Sequence, residues 1–577
     1  MKETILKCKQ LQVNDALKWE ICKYEIKQVS INYSKRKSRE RHNRLQNLEK
    51  KLKFLLSENI INETKVTEVE NNIKEIYDAK ANGAQIRAII QHLEEGEKNT
   101  KYFLSLEKSK QNRKTITTLK VNGHRVTTID EILDAEVKFY EDLYSTRREH
   151  NDNEEYLKNI HLDHKLSEEE ANVCEGPITL KECFEALHGM KLNKSPGLDG
   201  LTVEFYIKFW PQLSTLVHES IMYSSQNGEL SRSQKQCVFS LLYKKGDPEN
   251  MENWRPISLL NIDYKILARV LAERLQKILP KIISLDQQGY IKNRYIGYNI
   301  RQIQDVIDYA ETLDIEGAIL FLDFKKAFDT VEWEFMYNVL RKFGFKTDFI
   351  NWVNILYKNI SSSVINNGWQ SNFFNISRGI RQGCPLSALL FIIIAEILAT
   401  TIRKCKDIKG ITVHLQDSNH QIKITQLADD TTLFLKNTNE MSTAINIIEN
   451  FGKVSGLKLN RNKTEGLLIG KLKKTEECRI NNIKFSLKVK ALGTYFGTNK
   501  HECYTLNWID KIESCNKLIN SWNKRKLTMF GKVTVIKSLI LPKFAFLLQA
   551  IPIPKECKKQ INSMIFNFVW SNKSEKN

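Results

Sequence analysis

The stretch AILFLDFKKAF at residues 318–328 decides the fold of this chain, together with QLADDTTLFL at residues 426–435. The first stretch predicts a buried apolar strand that ends at Asp323. The second predicts a hairpin whose tip carries Asp429 and Asp430. Carboxylates at the ends of buried strands are costly unless something compensates their charge. Because three such groups would repel one another, their convergence predicts bound cations.

Two Mg²⁺ ions, or Mn²⁺ in their place, suit this cluster, since Mg²⁺ prefers a few carboxylates completed by phosphate oxygens and water. Such a pair of ions stabilises the attacking and leaving oxygens of a phosphoryl transfer. Read alone, each motif would be an ordinary strand end or turn, because acids commonly cap turns and helices. Read together, they predict that Asp323, Asp429 and Asp430 are metal ligands and catalytic acids in the palm of a nucleic-acid polymerase.

Composition favours a polyanionic partner. Lysine and arginine outnumber aspartate and glutamate by 88 to 68, which gives a formal net charge of +20. The 11 cysteines are scattered without a CxxC pair, so we expect an intracellular protein of the nucleus and cytoplasm, not a secreted one. The N-terminus lacks a signal peptide, and the longest apolar run, at 386–400, is short for a membrane span and predicts a buried helix.

The 577 residues are too many for one core, so several domains are expected. Residues 1–115 predict a helical arm with an antiparallel coiled-coil hairpin, because leucines from Leu45 to Leu55 recur at spacings of three and four, with a turn near 57–64. These heptads can pair within one chain or between chains. Residues 116–175 predict a small mixed segment that begins with an Asn122-Gly123 hairpin.

Cationic and aromatic residues along the chain are candidates for nucleotide contacts. Lys244 and Arg255 lie on a predicted hairpin that can lean over a triphosphate, where a guanidinium binds two oxygens at once. Phe328 follows Asp323 closely enough to exclude a 2′-hydroxyl and so favour deoxynucleotides. Lys463 can protonate a pyrophosphate leaving group. The alternative interpretation is that the three cations lie on the surface without a ligand and that Phe328 is a core aromatic residue.

Loop residues are candidates for contacts with nucleic acid. Lys194 lies in a basic Pro-Gly loop and can meet phosphates. Arg378 can do the same, and Gln382 can hydrogen-bond where a nucleotide meets its templating base. Gly383 permits a close backbone approach to a base pair. Gly493 lies in a tight turn that can grip a primer end. Judged by composition alone, each of these segments would be interpreted as an ordinary turn.

In their order, these motifs resemble the reverse transcriptases of non-LTR retrotransposons, LINE-type elements in particular. The resemblance covers roughly residues 90–577 and implies an α+β right-hand polymerase, with fingers at 176–315, a palm at 316–500 and a helical thumb at 501–577. The matching stretches are SPGLDG (195–200), LLYKKGDPENMENWRPISLLNIDYKILARVLAERL (241–275), DQQGYI (286–291), FLDFKKAFDTV (321–331), RGIRQGCPLS (378–387), LADD (427–430), LKLNRNKT (457–464) and ALGTYFG (491–497).

The resemblance implies an RNA-directed DNA polymerase, which extends a DNA primer with deoxynucleotides on an RNA template. The three acids match the family's catalytic positions. Lys244 and Arg255 match finger residues that hold the triphosphate, Phe328 matches the position that excludes ribonucleotides, and Gln382 matches the motif beside the template.

The chain departs from the family at Leu427, where Phe or Tyr is usual. We expect a fragment that lacks the endonuclease and the C-terminal Cys/His-rich segment of full-length elements. A non-catalytic nucleic-acid-binding remnant and a group II intron maturase-like protein are the alternatives. An RNA-copying RNA polymerase is disfavoured by Phe328 and by Ala-Asp-Asp in place of Gly-Asp-Asp.

Overall fold

A computed structural model describes residues 1–57, 62–87, 115–146, 153–415, 418–474, 476–523, 525 and 527–570. Helices and sheets mix along the whole of this part, so the α+β class is confirmed. The predicted end of the arm, at 88–114, and residues 58–61 of the predicted turn near 57–64 lie outside the described residues. The boundaries of the fingers, palm and thumb remain predictions.

The helices and strands are numbered in chain order. The helices are α1 (Lys2–Lys9), α2 (Asp15–Ser57), α3 (Glu63–Arg87), α4 (Ile129–Tyr144), α5 (Asn153–Lys158), α6 (Glu168–Asn172), α7 (Leu180–His188), α8 (Val203–Asn227), α9 (Arg232–Lys235), α10 (Ile262–Gln276), α11 (Leu279–Ile282), α12 (Ile296–Thr312), α13 (Trp333–Phe343), α14 (Thr347–Tyr357), α15 (Ser387–Lys404), α16 (Glu440–Ser455), α17 (Lys500–Asn523), α18 (Met529–Val535), α19 (Leu541–Leu548) and α20 (Lys555–Trp570). The strands are β1 (Leu119–Val121), β2 (His124–Val126), β3 (Gln236–Tyr243), β4 (Trp254–Leu259), β5 (Gly317–Leu322), β6 (Phe324–Lys325), β7 (Ser361–Asn366), β8 (Trp369–Gln370), β9 (Phe374–Asn375), β10 (Ile411–Leu415), β11 (Ser418–Ile422), β12 (Ile424–Leu427), β13 (Asp430–Leu435), β14 (Lys458–Leu459), β15 (Glu465–Ile469), β16 (Cys478–Ile480), β17 (Ile483–Phe485), β18 (Lys488–Ala491) and β19 (Thr494–Gly497).

A six-stranded sheet with the order β12-β13-β5-β15-β17-β16 forms the centre of the molecule. β5 is buried at every position, because helices cover one face and the C-terminal elements cover the other. This double burial explains why its sequence is continuously apolar rather than alternating. β5 pairs antiparallel with both neighbours, β13 and β15.

The apolar run at 386–400 forms most of α15, and nearly all of this helix is buried. It packs against α13, α16 and β12, so the predicted buried core helix is confirmed. Among the described helices, none combines the length and the apolar character needed to cross a membrane.

A second sheet has the order β4-β3-β7-β8, with β9 paired to β7. The predicted hairpin is present as β3 and β4, and its register places Leu242 opposite Arg255. The chain between these strands carries Lys244 beyond the sheet, where its backbone N–H donates to the carbonyl of Asn253.

The N-terminal helices α2 and α3 pack together, and the buried apolar residues of these helices include Leu45 and Val69. The coiled-coil hairpin remains a prediction. The start of α2 packs on α8. There Lys23 forms a buried ion pair with Asp263, 2.9 Å from Nζ to Oδ2, and the Trp19 indole donates to the same oxygen at 2.8 Å. Because a buried charge is costly without its partner, these contacts hold the arm to the rest of the chain.

A buried carboxyl group on α4 makes stability depend on pH. Glu136 is fully buried, and its Oε1 accepts a hydrogen bond from Asn366, whereas its Oε2 has no partner among the described residues. Burial raises the pKa of Glu136 to about 8.

We predict that Glu136→Gln raises the melting temperature at pH 8.5 and leaves it nearly unchanged at pH 4. A carboxyl whose folded pKa is raised stabilises the protein below its unfolded pKa of about 4.3, and this stabilisation is lost as pH rises through about 8. Thermal melts across this range measure the effect. Equal melting curves at pH 8.5 would show that burial does not perturb this carboxyl.

Candidate active site

The register of the central sheet brings the three predicted acids to one edge. Thr431 of β13 pairs with Leu322 of β5, so one further step along the antiparallel pair places Asp430 opposite Asp323. Asp429 lies in the two-residue turn that joins β12 to β13. Residues about a hundred positions apart in the chain therefore meet at the end of two neighbouring strands.

Burial and neighbouring charges raise the pKa of both Asp429 and Asp430. Burial raises the pKa of Asp429, and the charge of Asp323 raises it further. Burial raises the pKa of Asp430 to about 6, with added contributions from the charges of Asp429 and Asp323. The charge of Asp323 thus acts on both Asp429 and Asp430, and a bound cation would relieve this repulsion.

Asp323 is held by the segment around β14. The Asn460 amide donates to its Oδ2 at 2.8 Å, and the Asn460 backbone N–H donates to its carbonyl at 2.8 Å. The Asp323 N–H in turn donates to the Thr464 hydroxyl at 3.3 Å. We did not predict Asn460 as a site residue, although it lies within the quoted stretch LKLNRNKT.

Three of the predicted cations face this cluster. The positive charges of Lys244 and Arg255 oppose the rise in the pKa of both Asp429 and Asp430, as expected of cations near the acids. Partial burial and the charge of Arg255 lower the pKa of Lys244 itself, and Lys463 adds to this effect. The sheet β3–β4 and the loop after β14 thus supply positive charge to the edge where the acids converge.

Phe328 and Gln382 belong to two segments that are joined by hydrogen bonds, since the Ile380 N–H donates to the Phe328 carbonyl at 2.7 Å. The Phe328 ring is half-buried and stacks on Phe391 of α15, with centroids 4.5 Å apart. The Gln382 amide donates to Oδ1 of buried Asp329 at 2.8 Å, and the Tyr144 hydroxyl donates to the same oxygen at 2.6 Å. Tyr144 is the last residue of α4, and no local motif marks it as a neighbour of the site.

The structure places the four nucleic-acid candidates differently. Gly383 is exposed with φ of 115°, and a side chain there would meet the carbonyl of Ser258 at 2.9 Å, so the turn needs glycine. Gly493 is exposed at the β18–β19 tip with φ of 76°. Lys194 is exposed in the loop before α8, and in the described part of the chain no hydrogen bond or ion pair joins it to the acids.

Arg378 requires a correction, because its guanidinium is buried and does not face an open surface. Its Nε donates to the carbonyl of Leu143 at 2.9 Å, and its Nη1 lies 3.4 Å from Oε1 of buried Glu332. These contacts argue against the predicted phosphate contact and give Arg378 a role in joining α4 to the loop before α15.

The donor set fits hard divalent cations, since the converging groups are carboxylates. Within the described residues, no three His, Cys, Asp or Glu side chains are close enough together to hold an ion unaided. Mg²⁺ at such a carboxylate edge prefers to complete its coordination with phosphate oxygens and water.

Comparison with known proteins defines the class. Residues 243–497, which contain the acids and most of the cations described above, match the family "Reverse transcriptase (RNA-dependent DNA polymerase)". This part of the chain is a reverse transcriptase domain with the right-hand polymerase fold.

Relatives place the domain among non-LTR retrotransposon proteins. The chain is 30% identical to the transposon TX1 uncharacterized 149 kDa protein of Xenopus laevis over 96% of its own length and 43% of that protein. It is 24% identical to the Pol polyprotein of the type-1 retrotransposable element R2 of Popillia japonica, over 65% of this chain and 52% of that protein. It is 25% identical to the Pol polyprotein of the type-2 retrotransposable element R2DM of Drosophila melanogaster, over 53% of this chain and 27% of that protein. The chain thus spans about half or less of the length of these relatives, which are proteins of non-LTR retrotransposons.

We predict that Tyr144→Phe lowers the free energy of unfolding by about 1–3 kcal/mol, because it leaves the buried Asp329 carboxyl without one of its donors. Tyr140→Phe is the matched control, since Tyr140 is equally buried and its hydroxyl has no hydrogen-bond partner. Chemical denaturation of both variants measures the difference. Equal loss in the two variants would contradict the role of the Tyr144 hydroxyl.

Proposed function

We propose that this chain is an RNA-directed DNA polymerase that extends a primer 3′-hydroxyl with deoxynucleotides on an RNA template. The observation that carries this proposal is the convergence of Asp323, Asp429 and Asp430 at one sheet edge inside a reverse transcriptase domain. The two flanking cations, Lys244 and Arg255, give that edge the charge that a triphosphate requires.

Asp323 and Asp429 are the proposed ligands of two Mg²⁺ ions, with Asp430 supporting the site, and Mn²⁺ can take the same place. When bound, the ions supply Lewis-acid stabilisation of the attacking and leaving oxygens. Asn460 holds Asp323 by its Oδ2, which leaves the other carboxylate oxygen available as a ligand. The raised pKa of Asp429 and Asp430 reflects repulsion and burial that this binding relieves.

Lys244 and Arg255 are proposed to bind the triphosphate of the incoming nucleotide. Both side chains are exposed, and neither forms an ion pair in the described part of the chain, so both are free to bind a ligand. A guanidinium binds two phosphate oxygens in one plane, whereas an ammonium acts as a compact charge. Lys463, exposed and near Lys244, is the proposed proton donor to the leaving pyrophosphate.

Phe328 is proposed to exclude ribonucleotides. Its stacking on Phe391 fixes the ring at one face and leaves it half exposed, so the ring can act as a rigid wall. Gln382 contacts Asp329 through its NH₂ group, which turns its carbonyl oxygen away from that contact and makes it available to the nucleotide. Discrimination between deoxynucleotides and ribonucleotides would then come from a steric clash with the Phe328 ring and from the hydrogen bond that the Gln382 carbonyl can accept.

The nucleic acid is proposed to run past exposed loops. Lys194, Gly383 and Gly493 remain the candidates for contacts with template and primer, and Arg378 is withdrawn because it is buried. The net charge of +20 supplies long-range attraction to phosphates. We propose the fingers at 176–315, the palm at 316–500 and the thumb at 501–577.

The first test is deoxynucleotide incorporation on a primed RNA template with Mg²⁺. We predict that Asp429→Asn lowers the rate by about 10²-fold or more, because charge stabilisation at the transferred phosphate is the main catalytic contribution. Asp407→Asn, an exposed acid outside the cluster, is the matched control and should keep wild-type activity. Retained synthesis by Asp429→Asn would refute the site, and a folded wild type that binds primed template without extending it would favour a non-catalytic remnant.

We predict that Phe328→Ala narrows the preference for deoxynucleotides over ribonucleotides by about 10-fold or more, since a removed steric clash is worth that much discrimination. The control is Phe345→Ala, which removes one ring of another stacked pair, with centroids 5.0 Å apart. Single-nucleotide incorporation with each substrate measures kcat/KM. An unchanged ratio in Phe328→Ala would place the discriminating residue elsewhere.

A further inference from the structure

The turn that carries the acids has an unusual backbone at Ala428. This residue lies between Leu427 and Asp429 and has φ of 57°, in the left-handed region that favours glycine. A non-glycine residue keeps such a conformation only where its surroundings hold it. The position and direction of the two acids that follow therefore depend on whatever holds Ala428.

The contacts to Ala428 come from Gln287. The Ala428 N–H donates to Gln287 Oε1 at 2.7 Å, and the Gln287 Nε2 donates to the Ala428 carbonyl at 3.3 Å. A single side chain thus binds both polar groups of the left-handed residue. Gln287 is fully buried, and its Oε1 also accepts from the Gly289 N–H at 2.8 Å.

The loop that carries Gln287 is itself anchored to β12. The Gln426 N–H donates to the carbonyl of Asp286 at 2.8 Å, and the Gln288 N–H donates to the carbonyl of Gln426 at 2.9 Å. Arg403 of α15 lies 2.9 Å from Oδ2 of Asp286. The loop therefore lies beside β12 like a further strand, and this pairing fixes the position of the Gln287 amide relative to the hairpin.

Gly289 closes the arrangement sterically. A Cβ at this position would lie 2.6 Å from the Ala428 nitrogen and 2.9 Å from Gln287 Oε1. Only glycine leaves room for the turn and the amide together. The sequence Gln287-Gln288-Gly289 is thus shaped to the backbone of the acid-bearing turn, not merely packed near it.

We propose that Gln287 is a positioning residue, which sets the direction of the Asp429 and Asp430 carboxylates by fixing the left-handed Ala428. This inference rests on the proposed function, because it assigns Gln287 to the metal-binding acids of that site. In the described part of the chain, the hydrogen bonds of the Gln287 side chain go to Ala428 and Gly289 and not to the acids. Its loss should weaken cation binding even where the hairpin stays folded, as the loss of a residue that orients metal ligands does.

A merely structural role would predict a different result, and Asn299 of α12 supplies the comparison. Its amide donates to the Thr425 hydroxyl at 2.9 Å and to the Gln426 carbonyl at 3.0 Å, and the residue is buried. Asn299→Ala therefore removes two hydrogen bonds to β12, whereas Gln287→Ala removes two to Ala428 and one from Gly289. Neither of the two Asn299 bonds involves Ala428.

The test measures Mn²⁺ affinity by electron paramagnetic resonance on the full chain, as wild type, Gln287→Ala, Asn299→Ala and Asp429→Asn, with melting temperatures alongside. We expect Gln287→Ala to weaken Mn²⁺ binding by about 10-fold and to raise the Mg²⁺ concentration for half-maximal synthesis similarly. Asn299→Ala should lower the melting temperature as much but keep wild-type affinity within about twofold, given that it leaves the ligands in place.

The outcomes separate the two proposals. Equal Mn²⁺ affinities in Gln287→Ala and Asn299→Ala, with binding lost in Asp429→Asn, would overturn the role of Gln287 and leave the proposed function intact. Wild-type Mn²⁺ affinity in Asp429→Asn, together with no synthesis by the wild type, would overturn the metal site and with it this inference.

Discussion

The structure depends on the antiparallel register between β5 and β13. That register places Asp430 opposite Asp323 and leaves Asp429 at the tip of the turn. A shift of one residue would send every side chain of β13 to the other face of the sheet, exposing its apolar residues and separating the acids. Burial of β5 on both faces therefore determines the geometry of the site as well as the stability of the sheet.

Elements from outside the matched domain also reach the site. The Tyr144 hydroxyl at the end of α4 donates to Asp329, which also accepts from Gln382, so a segment before residue 243 helps to hold the loop that carries Gln382. Lys23 of α2 pairs with Asp263 in the interior, and neither charge could stay buried alone. The alignment with the Xenopus protein covers 96% of the chain and so includes the N-terminal helices as well as the domain.

Sequence reasoning succeeded where the signal was local. The alternating and continuous apolar patterns predicted the β3–β4 hairpin, the acid-bearing turn and the buried helix α15, because strand and helix periods are properties of neighbouring residues. It failed at Arg378, whose charge suggested a phosphate ligand. Its burial against Leu143 and Glu332 depends on how α4 packs, and this packing cannot be predicted from any short stretch of sequence.

The sequence by itself determined the class of fold, the three acids and the cations that face them, since each is marked by residue type at the end of a periodic segment. Only the tertiary structure decided which side chains hold those acids in place. Gln287 lies 141 positions from Ala428, and Tyr144 lies 185 positions from Asp329. Such hydrogen bonds require separate elements to pack within about 3 Å of one another, and this depends on the whole core rather than on any one motif.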